Sequence, residues 1–484
     1  MSIVTATLRD GRRLDYVLVD DPPAGGMKKT YFSPDKSYVV QFFHDQNAGM
    51  DPQRLARLDA ILTRYNPTVS DAQGGAQGGS EVAAEYFRNL FCWPTGIVEK
   101  PEIGIVAPAY PPNFFFATGP FQGNEKQGRW FTSPKLRKML PAEERGNWLG
   151  YFMMCILITR AVRRLHSAGL AHSDLSSKNI LVDPSTGRCI VIDIDSLVVP
   201  GLFPPDVLGT PGYIAPEVLG TQHLPLKDPG RKHPCILTDL HALPVLLYEY
   251  LLFRHPLRGP RVHSVKSAEE DELLSMGSKA IFVEHPQDPS NRPKDLNIPC
   301  SVLGRPLLNL FLRAFVNGLH SPNERPAATE WERALIKTWS MLHPCSNAGC
   351  LYQWFVLHDL QNPRCPFCGT RVSHAVPVLK LRSERRPGQW MQDGQLVIYH
   401  NISLFRWHAF DNVFPGEEAD RSPVAYCALH RGRWVLVNQS LDSLTSPNGN
   451  RVPPGSGVEL RDGAQIRLSQ EPRGRIAQVQ MARG

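Results

Sequence analysis

An α+β chain made of differently patterned consecutive parts is predicted by three observations. Ahead of residue 43, short β-type runs alternate with turn-rich stretches; from about 146 to 340, apolar residues recur at helical spacing; beyond four cysteines grouped at 345–368, residues 393–481 alternate as short strands. Length and composition agree with this. At roughly 100 to 200 residues per domain, 484 residues hold about two to four domains, and 42% hydrophobic with 20% charged residues excludes a disordered chain. The net charge of +7 is spread too thinly for a dedicated nucleic-acid surface. No apolar run reaches the roughly 18 residues that cross a bilayer, and the first residues lack a signal-peptide core, so no membrane contact and a cytoplasmic location are expected. Of the ten cysteines, Cys92, Cys155, Cys189, Cys235, Cys300 and Cys427 are scattered and the other four clustered, which favours a local metal site over a disulfide framework.

Taken in order, residues 14–19, 28–32 and 38–43 read as an antiparallel meander, separated by Asp-Pro-Pro-Ala-Gly-Gly and Ser-Pro-Asp-Lys-Ser turns. Helices are predicted at 52–64 and 81–90, the second capped by Ser80. Residues 103–109 form a buried strand that Pro111 and Pro112 end. Apolar residues on every side of 146–168 predict a helix buried nearly all round, and further helices are expected at 239–253 and 307–315. In the β tail, turns fall at Arg431-Gly432, Asn448-Gly449 and Asp462-Gly463.

The chemistry concentrates after the buried helix. In His172-Ser173-Asp174-Leu175-Ser176-Ser177-Lys178-Asn179, a loop carboxylate can accept a hydroxyl proton and an amide five residues on can turn back to hold a metal. Fourteen residues past Asn179, the apolar strand Ile190-Val191-Ile192 delivers Asp193, so that Asn179 and Asp193 together offer hard oxygen ligands for a Mg²⁺ bridging nucleotide phosphates. Ala215-Pro216-Glu217 closes the segment, and Asp239-Leu240-His241-Ala242-Leu243 opens a later helix.

These motifs, in this order over about 330 residues, resemble a eukaryote-like protein kinase. The resemblance implies a bilobal protein-kinase fold (1–112 N-lobe, 113–342 C-lobe), ATP and Mg²⁺ as cofactors, a protein substrate, Asp174 as base, and a buried ion pair between Arg325 and Glu217. It also implies that the strand-three lysine is missing, since Tyr38-Val39-Val40-Gln41 stands in its place. Pro23-Ala24-Gly25-Gly26-Met27-Lys28 lies over the glycine-loop position, as in with-no-lysine kinases, so that Gly25, Gly26 and Lys28 would face the nucleotide, with Glu85, or second Glu81, pairing Lys28. The other reading makes Lys28 and Lys29 a solvated hairpin pair and the domain a pseudokinase scaffold. Ser173 replaces the arginine that clamps an activation-loop phosphate, and 197–208 contains no hydroxyl residue, so packing of Leu197, Val198, Val199, Leu202 and Phe203 should hold that segment. Ser176 stands where Ser/Thr kinases carry lysine, and Lys178 where tyrosine kinases place arginine; Gly209-Thr210-Pro211-Gly212-Tyr213 resembles the Ser/Thr substrate loop. Asp195, at the usual glycine position, either competes with Asp193 for metal or caps the loop.

Cys345-x₄-Cys350, then fourteen residues, then Cys365-Pro-Phe-Cys368-Gly, is knuckle spacing for Zn²⁺ in a ribbon at 343–374 with no catalytic ligand set. Kinases with this ribbon resemble bacterial ones of tellurite-resistance-type phosphorylation systems, which implies a von Willebrand-type protein and a phosphatase as partners. Residues 390–484 faintly resemble a forkhead-associated β-sandwich, in which Arg406, Ser422 and Asn448 would read a phosphothreonine; Lys380 to Arg386 reads as a solvated linker.

Overall fold

The computed structural model describes residues 2–23, 27–73, 79–205, 207–262 and 267–482; Gly25 and Gly26 lie outside them. The chain divides into two compact units, Met1–Gly146 with Gly150–Leu296 and Asn309–Glu332, and Asn147–Leu149 with Asn297–Leu308 and Arg333–Gly484.

The first unit opens with six strands, β1 Ser2–Leu8, β2 Arg13–Leu18, β3 Lys28–Phe32, β4 Tyr38–Phe43, β5 Gly96–Lys100 and β6 Gly104–Pro108. They lie in the antiparallel order β2-β1-β5-β6-β4-β3. The predicted meander is therefore corrected: β2 pairs with β1 and never with β3. The sheet curls, bringing its two edges together through Tyr16 and Tyr31, whose rings are 5.4 Å apart, and through the Tyr38 hydroxyl, which donates to the Asp15 carbonyl at 2.7 Å. Alternation along the strands sends Ala6, Leu8, Tyr16, Val40, Phe42, Val98 and Val106 into the core inside that curl.

Helix Pro52–Leu62 starts where Asp51 caps the Arg54 N–H and Pro52 sits at the first turn. Helix Glu81–Arg88 starts, as predicted, at Ser80, whose hydroxyl accepts from the Ala83 N–H. Tyr151, Phe152, Met154, Cys155, Ile158, Ala161 and Val162 of helix Trp148–Ser167 are all buried, as its all-round apolar pattern demands. The hairpin β7 Ile180–Asp183 and β8 Arg188–Val191 follows, flanked by a strand-like stretch near Gln127 that pairs with Leu181. The helix expected at 239–253 runs Ile236–Leu252, and that expected at 307–315 runs Arg305–Leu312 before widening into a π-turn at Arg313–Asn317.

The second unit holds the short hairpin β9 Leu342–Pro344 and β10 Trp354–Val356, and two four-stranded sheets. One orders β12 Gln389–Val397, β11 Val376–Arg386, β18 Ile476–Ala482 and β17 Gln465–Arg467; the other β13 Ile402–Leu404, β14 Ala425–His430, β15 Arg433–Asn438 and β16 Gly457–Glu459. Leu379, Leu396, Ile466 and Val479 of the first share one core with Leu404, Cys427 and Leu436 of the second, so the tail is a sandwich. The stretch read as a linker is the strand β11, an inner strand of its sheet: Val376, Val378, Leu379 and Leu381 are buried, Lys380 and Arg382 half-buried, and only Glu384, Arg385 and Arg386 exposed. The sandwich accordingly begins at Val376 and not at 390. The β14–β15 turn has Arg431 at φ 48° and Gly432 at φ 76°, the two left-handed positions of a type I′ hairpin.

Candidate active site

Ser173 at φ 67° and Asp193 at φ 60° are two of the non-glycine residues described in the first unit with left-handed backbone, and hydrogen bonds tie their segments together. Such conformations persist where surrounding bonds over-determine them, and here they mark a built site. The His172 N–H donates to buried Asp239 at 2.7 Å, which also meets His166 Nε2 at 3.1 Å, and His172 Nε2 donates to the Ile192 carbonyl at 3.0 Å. The Ser173 hydroxyl donates to the Ser196 carbonyl at 2.9 Å. One histidine and one serine thus tie the loop at 172–179 to the turn at 193–196.

Within that frame the Asn179 side-chain amide donates to the Asp174 carbonyl at 2.8 Å and to Asp174 Oδ2 at 2.9 Å, while Asp174 Oδ1 accepts the Thr210 N–H at 2.6 Å. Two of the residues singled out in the sequence, Asp174 and Asn179, are thus bonded to each other, and Thr210 is the member that sequence reasoning missed. The Ile192 N–H donates to the Asn179 carbonyl at 3.0 Å, which sets Asp193 beside Asn179 in the chain's path. The Asp193 side chain is 49% exposed, a solvent-accessible carboxylate of the kind a hard cation needs. Lys178 is exposed.

Lys28 and Lys29 are separated by strand alternation: Lys29 is exposed, and Lys28 points inward. Lys28 Nζ lies 2.6 Å from Asp195 Oδ1 and 3.5 Å from Asp193 Oδ1. Burial presses the Lys28 pKa down, but the two carboxylates outweigh it and the net direction is up. Glu85, predicted to pair with Lys28, is a correction: it is exposed on helix Glu81–Arg88, and Glu81 pairs with Arg88 of the same helix. Helix periodicity placed Ala83, Ala84 and Phe87 on the buried face, which turns Glu85 outward. Gln41 donates to the Thr30 hydroxyl at 3.1 Å and brings no charge.

Beside this cluster lies a buried apolar group, Phe114, Leu181, Ile190 and Ile192, with half-buried Cys92 and Tyr110 against it. Burial first, then the field of Asp195, Asp193 and Glu125, pushes the Cys92 thiol up to about 12, with Lys28 opposing.

The segment after Asp193 is tied down by backbone pairing and packing. Ala171 and Val198 exchange backbone hydrogen bonds at 3.2 and 2.8 Å, Leu197 and Val199 are buried, and Arg57 reaches from helix Pro52–Leu62 to donate to the Phe203 carbonyl at 2.8 Å. Arg57 carries no sequence signal that could have found it. At the segment's end, Arg325 makes the predicted pair, donating to both Glu217 oxygens at 2.7 and 2.8 Å.

Residues 148–331 match the family model described as protein kinase domain. That match supports a protein kinase, transferring phosphate from ATP, usually with Mg²⁺, to a protein substrate. No curated protein matches the chain. The matched stretch contains Asp174, Lys178, Asn179 and Asp193, whereas Lys28 and Glu85 precede it. No helix among the described residues is long and apolar enough to cross a membrane.

In the second unit, Cys345, Cys350, Cys365 and Cys368 place their sulfurs within 4.8 Å of one another. The Cys345–Cys368 and Cys350–Cys365 separations are 3.6 and 3.9 Å. Four thiolates about 2.3 Å from a tetrahedral ion stand about 3.8 Å apart, so the donor set fits a metal and is far too open for disulfides. Although burial raises it, hydrogen bonding with Thr370 brings the Cys368 thiol down to about 6. Arg406, Ser422 and Asn448 are all exposed, with Arg406 over the Phe410 ring and the Ser422 N–H on Asp420.

Proposed function

We propose that this chain transfers the ATP γ-phosphate to Ser or Thr of a protein substrate, without control by activation-loop phosphorylation. The observation that carries the reading is the Asp174–Asn179 pair, fixed by the Thr210 N–H and set beside Asp193 and Lys28. Asp174 orients the attacking hydroxyl and takes its proton. Asn179 and Asp193 would hold Mg²⁺, which supplies the charge that neutralises the phosphates. Lys28, and Lys178 from the exposed end of the loop, add cations where that charge develops. The loop Gly209–Tyr213, through Thr210, supports Ser/Thr choice. Arg57 and the Ala171–Val198 pairing support a segment that needs no phosphate.

The four-cysteine site is proposed as structural Zn²⁺ in a ribbon at 343–374, since all four positions of the tetrahedron are taken by sulfur. A von Willebrand-type protein and a phosphatase remain the partners that the resemblance implies. The test is radiolabelled ATP turnover by the full chain beside Asp174→Ala on a Ser/Thr peptide library. Incorporation should fall by about a hundredfold or more, the range for loss of a positioned acid or base. Equal incorporation by both, or none by wild type, refutes it. One observation favours the scaffold reading: neutral Gln41, bonded to the Thr30 hydroxyl, stands where a phosphate-binding lysine is expected. Nucleotide binding without turnover would establish it.

A further inference from the structure

Lys28 and Asp195 form an ion pair in which both side chains are nearly buried, 12% and 11% exposed, at 2.6 Å. Asp193, 3.5 Å from the same ammonium, is 49% exposed. The two carboxylates of this turn therefore have different surroundings. Asp195 is enclosed with the lysine; Asp193 faces outward. The short helical turn Ile194–Ser196 that carries Asp195 is braced at both ends, by the Ser196 hydroxyl on the Asp193 carbonyl at 2.9 Å and by the Ser173 hydroxyl on the Ser196 carbonyl at 2.9 Å.

We propose that Asp195 is the positioning residue of Lys28, holding its ammonium beside Asp193 for the nucleotide phosphates in place of a carboxylate from helix Glu81–Arg88. The inference rests on the phosphotransfer reading and deepens it. A lysine has four rotatable side-chain bonds, and ordering them costs up to about 2 kcal/mol unless a fixed partner offsets it. A carboxylate on a braced turn is such a partner. An ammonium has three donors, so one held by Asp195 leaves others for phosphate oxygens. Asp195 is then neither a second metal ligand nor a plain loop cap. The placement of Lys28 follows from the turn that carries Asp193 and is independent of the helix on which Glu85 stands exposed. Metal site and phosphate cation are set by one turn.

The experiment is a double-mutant cycle on the full chain, read as MgATP affinity by titration calorimetry and as kcat and KM. Lys28→Met and Asp195→Asn should each weaken MgATP binding by about ten- to a hundredfold, the scale of a hydrogen bond to a charged group. The double variant should be no worse than Lys28→Met alone, and Asp195→Glu should recover most of the loss. Lys29→Ala and Glu85→Gln should stay within about twofold of wild type. Additive losses with a raised Mg²⁺ requirement would make Asp195 a metal ligand and overturn the proposal. So would an Asp195→Asn variant that binds as wild type does, or a Glu85→Gln variant that loses what Asp195→Asn was expected to lose. Should Asp195→Asn fail to fold, as thermal melting will show, Lys28→Arg and Asp195→Glu carry the same cycle. A wild type that binds MgATP but transfers nothing refutes the phosphotransfer reading alone, because the binding cycle still decides the role of Asp195; a wild type that binds no MgATP refutes both.

Discussion

Replacing Arg325 by methionine removes a buried charge on which several oxygen acceptors depend. The guanidinium is 1% exposed and holds Glu217 with two hydrogen bonds, while also donating to the carbonyls of Leu237 at 2.7 Å, Gly318 at 2.9 Å and Leu319 at 3.2 Å. Arg325→Met keeps the length of the stem and removes all five of these hydrogen bonds. Losing one partner of a buried ion pair costs roughly 3–5 kcal/mol. Glu217 is 23% exposed and recovers some hydration, which places the expectation near the lower end, about 3 kcal/mol. At roughly 2 °C per kcal/mol, suited to a large unit, differential scanning calorimetry should show the first unit melting about 6 °C lower. Phosphotransfer should fall as well, because Glu217 anchors the helix Pro216–Leu219 that follows the loop whose Thr210 N–H holds Asp174. Glu217→Leu combined with Arg325→Met should be less harmful than Arg325→Met alone, since both charges go together. A drop under about 1 kcal/mol, or strictly additive single changes, would refute the claim that this pair is what closes the segment.

Arg57→Met should loosen the segment after Asp193 and lower kcat by about tenfold through loss of the charged hydrogen bond to the Phe203 carbonyl, whereas phosphatase treatment of wild type should leave the rate unchanged; a large loss on dephosphorylation, restored by ATP preincubation, contradicts this. The purified chain should carry about one Zn²⁺, since a complete tetrahedral thiolate set leaves no position for water. Cys365→Ser should release it and unfold the small hairpin region while MgATP binding by the first unit persists, which metal analysis and calorimetry would read together.

Local signals in the sequence went far toward the fold and the site. Polar loop chemistry placed Asp174, Asn179 and Asp193 on consecutive segments, all-round hydrophobicity marked helix Trp148–Ser167 as buried, and cysteine spacing located the four-sulfur cluster. Each depends on residues close together in the chain, where period and spacing are direct physical constraints. Even the long-range Arg325–Glu217 pair was legible, though only through a family resemblance. Tertiary structure decided the rest. Strand pairing cannot be read from alternation, so only the folded sheet showed β2 beside β1 and the supposed linker as the inner strand β11. The partner of Lys28 was equally invisible: Glu85 and Asp195 are both plausible carboxylates in the sequence, and helix rotation turned one outward while the turn after Asp193 delivered the other to 2.6 Å. Arg57 and Thr210 act through backbone groups, a carbonyl and an N–H that every residue owns. No side-chain pattern announces such a bond, and only the fold brings the two ends into reach.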